Sequence, residues 1–203
     1  MIKIVIFDVD GVIINREKYF SEKLAERLNL NLKEEVLPFF TGPFQECLMG
    51  RKDLKVEIVP WLVKWGWVGT VDTFLDYWFE EEKVIDQRII NLAESFRAHG
   101  TRLFLGTDNE KYRVKYLMNV LGLRDLFEKT FGSSTIGFRK DKPEFFQYVL
   151  NELEDYSEDE ILFIDDDLRN IELAKEFGIN AIHYESFDKL MESLNLYSEL
   201  KIH

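Results

Sequence analysis

Apolar residues along this chain come in short runs separated by longer stretches with helical spacing. The runs Ile4-Val5-Ile6-Phe7 and Ile161-Leu162-Phe163-Ile164 are continuous rather than alternating, the pattern of strands buried on both faces. Five strands are predicted, at 2–7, 102–106, 128–132, 161–164 and 180–184. Amphipathic helices are predicted at 87–98, 110–121 and 168–177. Gly100, Gly122 and Gly178 follow them, where a left-handed residue closes a helix. Strands alternating with helices predict a parallel α/β sheet with helices on both faces.

The interval from about residue 15 to 100 is too long for one crossover helix. Glu17 to Leu30 reads as an amphipathic helix, and Leu37 to Glu82 holds all four tryptophans, Trp61, Trp65, Trp67 and Trp78. This predicts a helical subdomain at 15–85, with the aromatics as its core, inserted into an α/β core made of 1–14 and 86–203. Two chain crossings close together after the first strand suit a hinged lid.

Charge and composition narrow the class of partner. Of 203 residues, 46% are hydrophobic and 32% charged, with 17 Phe and 8 Tyr, which is ample for a core. The net charge of −12 leaves no basic surface for nucleic acid or an anionic membrane. An anionic substrate remains compatible, because a bound divalent cation reverses the local field. Cys47 is the sole cysteine, so an internal disulfide and a multi-cysteine metal site are excluded and a reducing, cytoplasmic setting fits. No window holds the ~18 uncharged apolar residues of a membrane span, and the apolar start is too short for a signal segment.

The chemistry concentrates at the strand ends. Asp8 and Asp10 follow the first strand in Phe7-Asp8-Val9-Asp10-Gly11-Val12, and Asp165-Asp166-Asp167 follows the strand at 161–164. Ligands of parallel sheets bind outside the carboxyl ends of the strands. Up to five carboxylates at one edge repel one another unless a cation joins them. A hard ion such as Mg²⁺, with oxygen ligands and substrate phosphate, resolves that conflict. Asp167 is explained by capping the next helix. The second strand ends in Leu105-Gly106-Thr107-Asp108-Asn109, where a hydroxyl and backbone N–H groups form an anion cradle or an ordinary helix cap. After the third strand comes Gly137-Phe138-Arg139-Lys140-Asp141-Lys142-Pro143, which offers a lysine to the same edge.

With these four segments in this order, the chain resembles the haloacid-dehalogenase-like (HAD) superfamily, over about 1–14 and 86–203. The resemblance implies a three-layer Rossmann-like core with a small α-helical cap inserted after the first strand. It implies that Asp8 is the nucleophile that forms an aspartyl-phosphate, and that Asp10 is the general acid and then the general base. Thr107 and the Asp108 backbone N–H would hold phosphoryl oxygens, and Lys140 would stabilise the charge around Asp8. Mg²⁺ would be held by the Asp8 carboxylate, the Asp10 backbone carbonyl and Asp166, with Asp165 near it or bonded through water. The substrate would be a small phosphorylated metabolite. A carboxylic acid at position 10 favours phosphate esters over carbon–halogen bonds, since an alkoxide needs a proton and a halide does not.

Two departures from the family pattern bear on these roles. Asp108 adds a carboxylate beside the phosphate cradle, facing either the phosphate or the next helix. The lysine motif reads Lys140-Asp141-Lys142-Pro143 rather than Lys-Pro, so a one-step shift would give the role to Lys142. Candidates around the substrate are Asn15, Arg16, Phe40, Thr41, Phe44, Arg51 and Lys52. The alternatives to a phosphatase are a phosphomutase or phosphotransferase using the same intermediate, and a non-catalytic Mg²⁺-binding regulatory module. Neither a Gly-x-x-x-x-Gly-Lys-Ser/Thr loop nor a Gly-x-Gly-x-x-Gly loop is present.

Overall fold

The computed structural model describes residues 1–15 and 17–195. Strands β1 (Ile4–Phe7), β2 (Arg102–Thr107), β3 (Lys129–Gly132), β4 (Ile161–Asp165) and β5 (Asn180–His183) form one sheet in the order β3-β2-β1-β4-β5. All four pairings are parallel. Phe7 pairs with Leu105 on one side and with Ile164 on the other. The carboxyl ends of the three central strands are therefore level. The strand order reverses between β1 and β4, which places a ligand-binding crevice between their ends.

Side chains alternate across the sheet and build a core on each face. Val5, Phe7, Leu103, Leu105, Leu162 and Ile164 face helix α7 (Gln87–Ala98) through Ile89, Leu92 and Phe96. Ile4, Ile6, Phe104, Ile161 and Phe163 face helices α10 (Pro143–Glu152) and α11 (Leu168–Glu176) through Phe145, Phe146, Val149 and Ile171. Helices α8 (Lys111–Asn119), α9 (Ser133–Ile136) and α12 (Phe187–Leu194) complete this three-layer, Rossmann-like α/β fold. Gly100, Gly122 and Gly178 all adopt positive φ.

The sequence pattern assigns no helix between β3 and β4, yet α9 and α10 lie there. Phe145, Phe146, Val149 and Leu153 make the apolar stripe of α10. Pro143 stands at its first turn, where the missing N–H is harmless.

Between β1 and β2 the chain forms α1 (Phe20–Leu28), a π-helical turn (Leu32–Val36), α2 (Leu37–Thr41), α3 (Pro43–Leu48), α4 (Leu54–Glu57), α5 (Val59–Lys64) and α6 (Val71–Glu81). The predicted helix at 17–30 is trimmed to Phe20–Leu28, because Asn29 turns left-handed (φ 52°). This insertion has its own hydrophobic cluster, with Phe20, Phe39, Trp65, Phe74 and Trp78 buried in it. The two crossings into and out of it are bonded to each other: Asn15 N–H donates to Val84 and Asp86 N–H donates to Ile13, both at 2.8 Å. Among the described residues no helix is long and apolar enough to cross a membrane.

Candidate active site

The level ends of β1, β2 and β4 deliver three groups to one edge. Asp8 leaves β1 with its N–H donated to the Ile164 carbonyl at 2.8 Å. The chain then turns at once: Ile13 and Ile14 both donate to the Val9 carbonyl. Gly11 makes this turn possible. Its φ is +101°, and a Cβ there would lie 2.1 Å from Asp166 Oδ2. The Asp166 carboxylate is thus packed directly against the turn that carries Asp8 and Asp10.

Lys140 lies at the centre of the edge. Its Nζ is 2.5 Å from Asp8 Oδ1 and 2.7 Å from Asp165 Oδ2, and all three residues are buried. Lys142 is exposed and pairs with Asp141 at 3.5 Å, so the lysine at the site is Lys140. Burial pushes the Asp8 carboxyl well above the usual carboxylate range, against the pull of Lys140. Burial lowers Lys140, but Asp8, Asp165 and Asp108 outweigh it and hold the ammonium above the ordinary lysine range. Asp165 Oδ1 in turn receives Asp167 N–H at 2.8 Å and Asn170 Nδ2 at 3.0 Å.

Asp10 is only half-buried, and its Oδ2 receives a hydrogen bond from Asn109 Nδ2 at 2.6 Å. The same amide donates to Thr107 Oγ1 at 2.7 Å. With that oxygen accepting, the Thr107 hydroxyl proton remains to be donated elsewhere. Arg113 is buried and lies 3.8 Å from Asp10 Oδ1. Its guanidinium also donates to the carbonyls of Phe79 (3.2 Å) and Glu82 at the end of α6. Neither Asn109 nor Arg113 is among the site residues read from the sequence. Asn109 reads there as a capping residue, but the cap of α8 is Glu110.

Asp108 follows neither expected orientation. Its Oδ2 receives Arg139 Nε and its Oδ1 receives the Lys140 N–H, each at 2.9 Å. The carboxylate that would oppose a phosphate is therefore spent on bracing the lysine loop.

One cavity of about 810 Å³ contains Asp8, Asp10, Thr107, Asp108, Lys140 and Asp166, together with Phe40 and Phe44 from the insertion. Asn15 is exposed and lines a neighbouring groove with Gly11 and Asp166 instead. Arg16 lies outside the described residues. Thr41 turns back to the Leu37 carbonyl, Lys52 pairs with Glu57, and Arg51 reaches Gly137 on the surface. His183, which carries no role in the sequence reading, also lines the cavity, with a ring nitrogen 3.0 Å from the Asp166 carbonyl.

The donor set fits a hard divalent cation. Asp8, Asp165 and Asp166 each offer a carboxylate oxygen, and these atoms lie within 4.8 Å of one another. Oxygen ligands alone are what Mg²⁺ selects.

The chain is 29% identical to the sesquiterpene phosphatase astK of Aspergillus oryzae over 116 residues, which are 57% of this chain and 56% of that protein. It thus matches only about half the length of that curated relative. The fold is that of the HAD family enzyme bt-2542 of Bacteroides thetaiotaomicron, with a TM-score of 0.79, 20% identity, and 94% and 98% of the two chains covered. A complex of that enzyme with magnesium and inorganic phosphate superposes with a TM-score of 0.77 at 22% identity, covering 94% and 99%. The family model of the haloacid dehalogenase-like hydrolases matches residues 2–178, and the chain belongs to that family.

Proposed function

We propose that this hydrolase cleaves small phosphomonoesters with Mg²⁺, through an aspartyl-phosphate on Asp8. The observation that carries the reading is the contact of Asp8 with Lys140 at 2.5 Å, in one cavity with Asp10 and Asp166. The phosphatase relative and the neighbour that binds magnesium and phosphate support it.

In the first half-reaction an Asp8 oxygen bonds to phosphorus and the ester P–O bond breaks, while Asp10 gives its proton to the departing alkoxide. In the second, Asp10 takes a proton from water, the water oxygen bonds to phosphorus, and the Asp8–phosphorus bond breaks to release inorganic phosphate. Asn109 orients the Asp10 carboxylate in both. The Thr107 hydroxyl and the Asp108 N–H donate to phosphoryl oxygens. Lys140 holds its positive charge beside the transferring group throughout. Asp8, Asp166 and the Asp10 backbone carbonyl would hold Mg²⁺, which shields the anionic nucleophile from the anionic phosphate. We assign Asp165 to positioning Lys140, which donates to its Oδ2 while Asp167 N–H and Asn170 hold its Oδ1.

Residues 15–85 are proposed as a cap over a core of 1–14 and 86–203. Their separate hydrophobic cluster and the bonded pair of crossings support that division. Release of inorganic phosphate from p-nitrophenyl phosphate with Mg²⁺ tests the function, with Asp8→Asn as the blank. Equal release by that variant contradicts it, and transfer to a sugar hydroxyl without phosphate release favours a phosphotransferase.

A further inference from the structure

Besides the carboxylates, the cavity is lined by six apolar residues of the insertion: Phe20, Leu37, Phe40, Phe44, Leu48 and Trp78. They come from four helices of the insertion, α1, α2, α3 and α6. Their rings are interlocked. Phe20 stacks on Trp78 at 4.8 Å, and Phe40 and Phe44 meet the same Trp78 at 5.3 and 5.1 Å. The rings of Phe20, Phe40, Phe44 and Trp78 thus form one connected apolar wall.

Two of the polar side chains beside it already hold partners. Gln45 donates to the Phe40 carbonyl and accepts from Arg139, and Glu82 accepts from Phe20 N–H and Trp78 Nε1. Of the cations in the cavity, Arg139 pairs with Asp108, Arg169 with Asp167, and Lys140 with Asp8 and Asp165. The hydroxyls of a sugar pressed on this wall would lose water without replacement, which is unfavourable. A second phosphate or a carboxylate would meet only paired cations in a strongly acidic protein. An apolar group faces neither cost and removes more apolar surface from water. The volume of about 810 Å³ lies in the ~300–1,000 Å³ range of sites that enclose whole small molecules, and is far more than a phosphoryl group needs.

We infer that the substrate is a monophosphate ester of an apolar alcohol, with its hydrocarbon part on the wall of Phe40, Phe44 and Trp78. This rests on the phosphomonoester reading above and narrows it.

The test is a series of ethyl, butyl, hexyl and octyl phosphates with Mg²⁺, kept below micelle-forming concentrations. Glucose 6-phosphate, AMP and p-nitrophenyl phosphate are assayed beside them. The expected result is a rise in kcat/KM of about two- to fourfold per methylene, so that octyl exceeds butyl phosphate by at least about tenfold. Octyl phosphate should also exceed glucose 6-phosphate and AMP. Phe40→Ser and Phe44→Ser should each flatten the chain-length series. A flat or falling series in the wild type, or preference for glucose 6-phosphate or AMP, overturns the inference. If p-nitrophenyl phosphate is still hydrolysed in that case, the hydrolase reading stands. If no ester releases phosphate, both fall together.

Discussion

The side-chain amide of Asn109 donates to the carboxylate of Asp10 at 2.6 Å, across 99 residues of chain. It joins the end of β2 to the turn after β1 and, in the proposed mechanism, would fix where Asp10 delivers its proton. The same amide reaches Thr107, so the proposed acid and the proposed phosphate ligand share one support. Asp10→Asn keeps the size and the metal-facing backbone but cannot shuttle a proton. We expect kcat to fall by roughly 10²–10⁴-fold, with Mg²⁺ affinity by calorimetry unchanged. Asn109→Ala should reduce kcat less and change the shape of its pH profile. A profile identical to wild type would remove Asn109 from any positioning role.

Lys140 and Lys142 are two residues apart and differ completely in surroundings. Lys140 is buried between Asp8 and Asp165, whereas Lys142 is exposed beside Asp141. Lys140→Ala leaves two buried carboxylates without their cation, a loss of about 3–5 kcal/mol in comparable pairs. It should abolish phosphate release and lower the denaturant midpoint. Lys142→Ala should change stability by no more than about 0.5 kcal/mol and keep turnover. The reverse ranking would reassign the lysine.

Gly11 carries a different kind of constraint. With φ at +101° and a Cβ position 2.1 Å from Asp166 Oδ2, Gly11→Ala must move either the turn or the carboxylate. Disturbing a support of a metal ligand weakens binding by roughly 10–100-fold in other sites. Calorimetric titration with Mg²⁺ should show a loss of that size, and an unchanged affinity would mean that Asp166 does not hold the ion.

Glu110 gives a pH dependence with a definite sign. It is buried at the start of α8, where its carboxylate accepts the N–H groups of Tyr112 and Arg113. Burial raises its pKa from 4.5 to about 7. The folded protein therefore keeps this proton where the unfolded chain has released it. The group's contribution to stability must fall as pH rises from about 4.5 to about 7, and must be level on either side. Over that window wild type should lose on the order of 3 kcal/mol relative to Glu110→Gln. Urea unfolding of both proteins across the window measures the difference. A constant gap would show that Glu110 ionises normally.

Much of this site was legible in the sequence because sheet register is simple. Continuous apolar strands of matched length end at the same height, so carboxylates following 4–7 and 161–164 must meet. Lys140 was legible only through the family resemblance, with Lys142 open as its alternative. Asn109 and Arg113 were not: Asn109 reaches from the end of β2 to the turn after β1, Arg113 from α8 to the end of α6, and both orientations depend on tertiary packing. The same limit explains Asn15, whose backbone bond to Val84 holds it at the crossing into the insertion, beside a neighbouring groove. It also separates Phe40 and Phe44, which face the cavity, from Thr41, Arg51 and Lys52, which find partners outside it. Helix α10 was missed although its apolar stripe is regular.

The central claim is that phosphorus bonds to an oxygen of Asp8. A crystal structure of the protein with Mg²⁺ and beryllium trifluoride, a mimic of the phosphoryl group, tests it most directly. The account predicts beryllium bonded to an Asp8 carboxylate oxygen, with fluorines facing Thr107, the Asp108 N–H and Lys140. Beryllium trifluoride bound with Asp8 remote from both it and the ion would contradict the account.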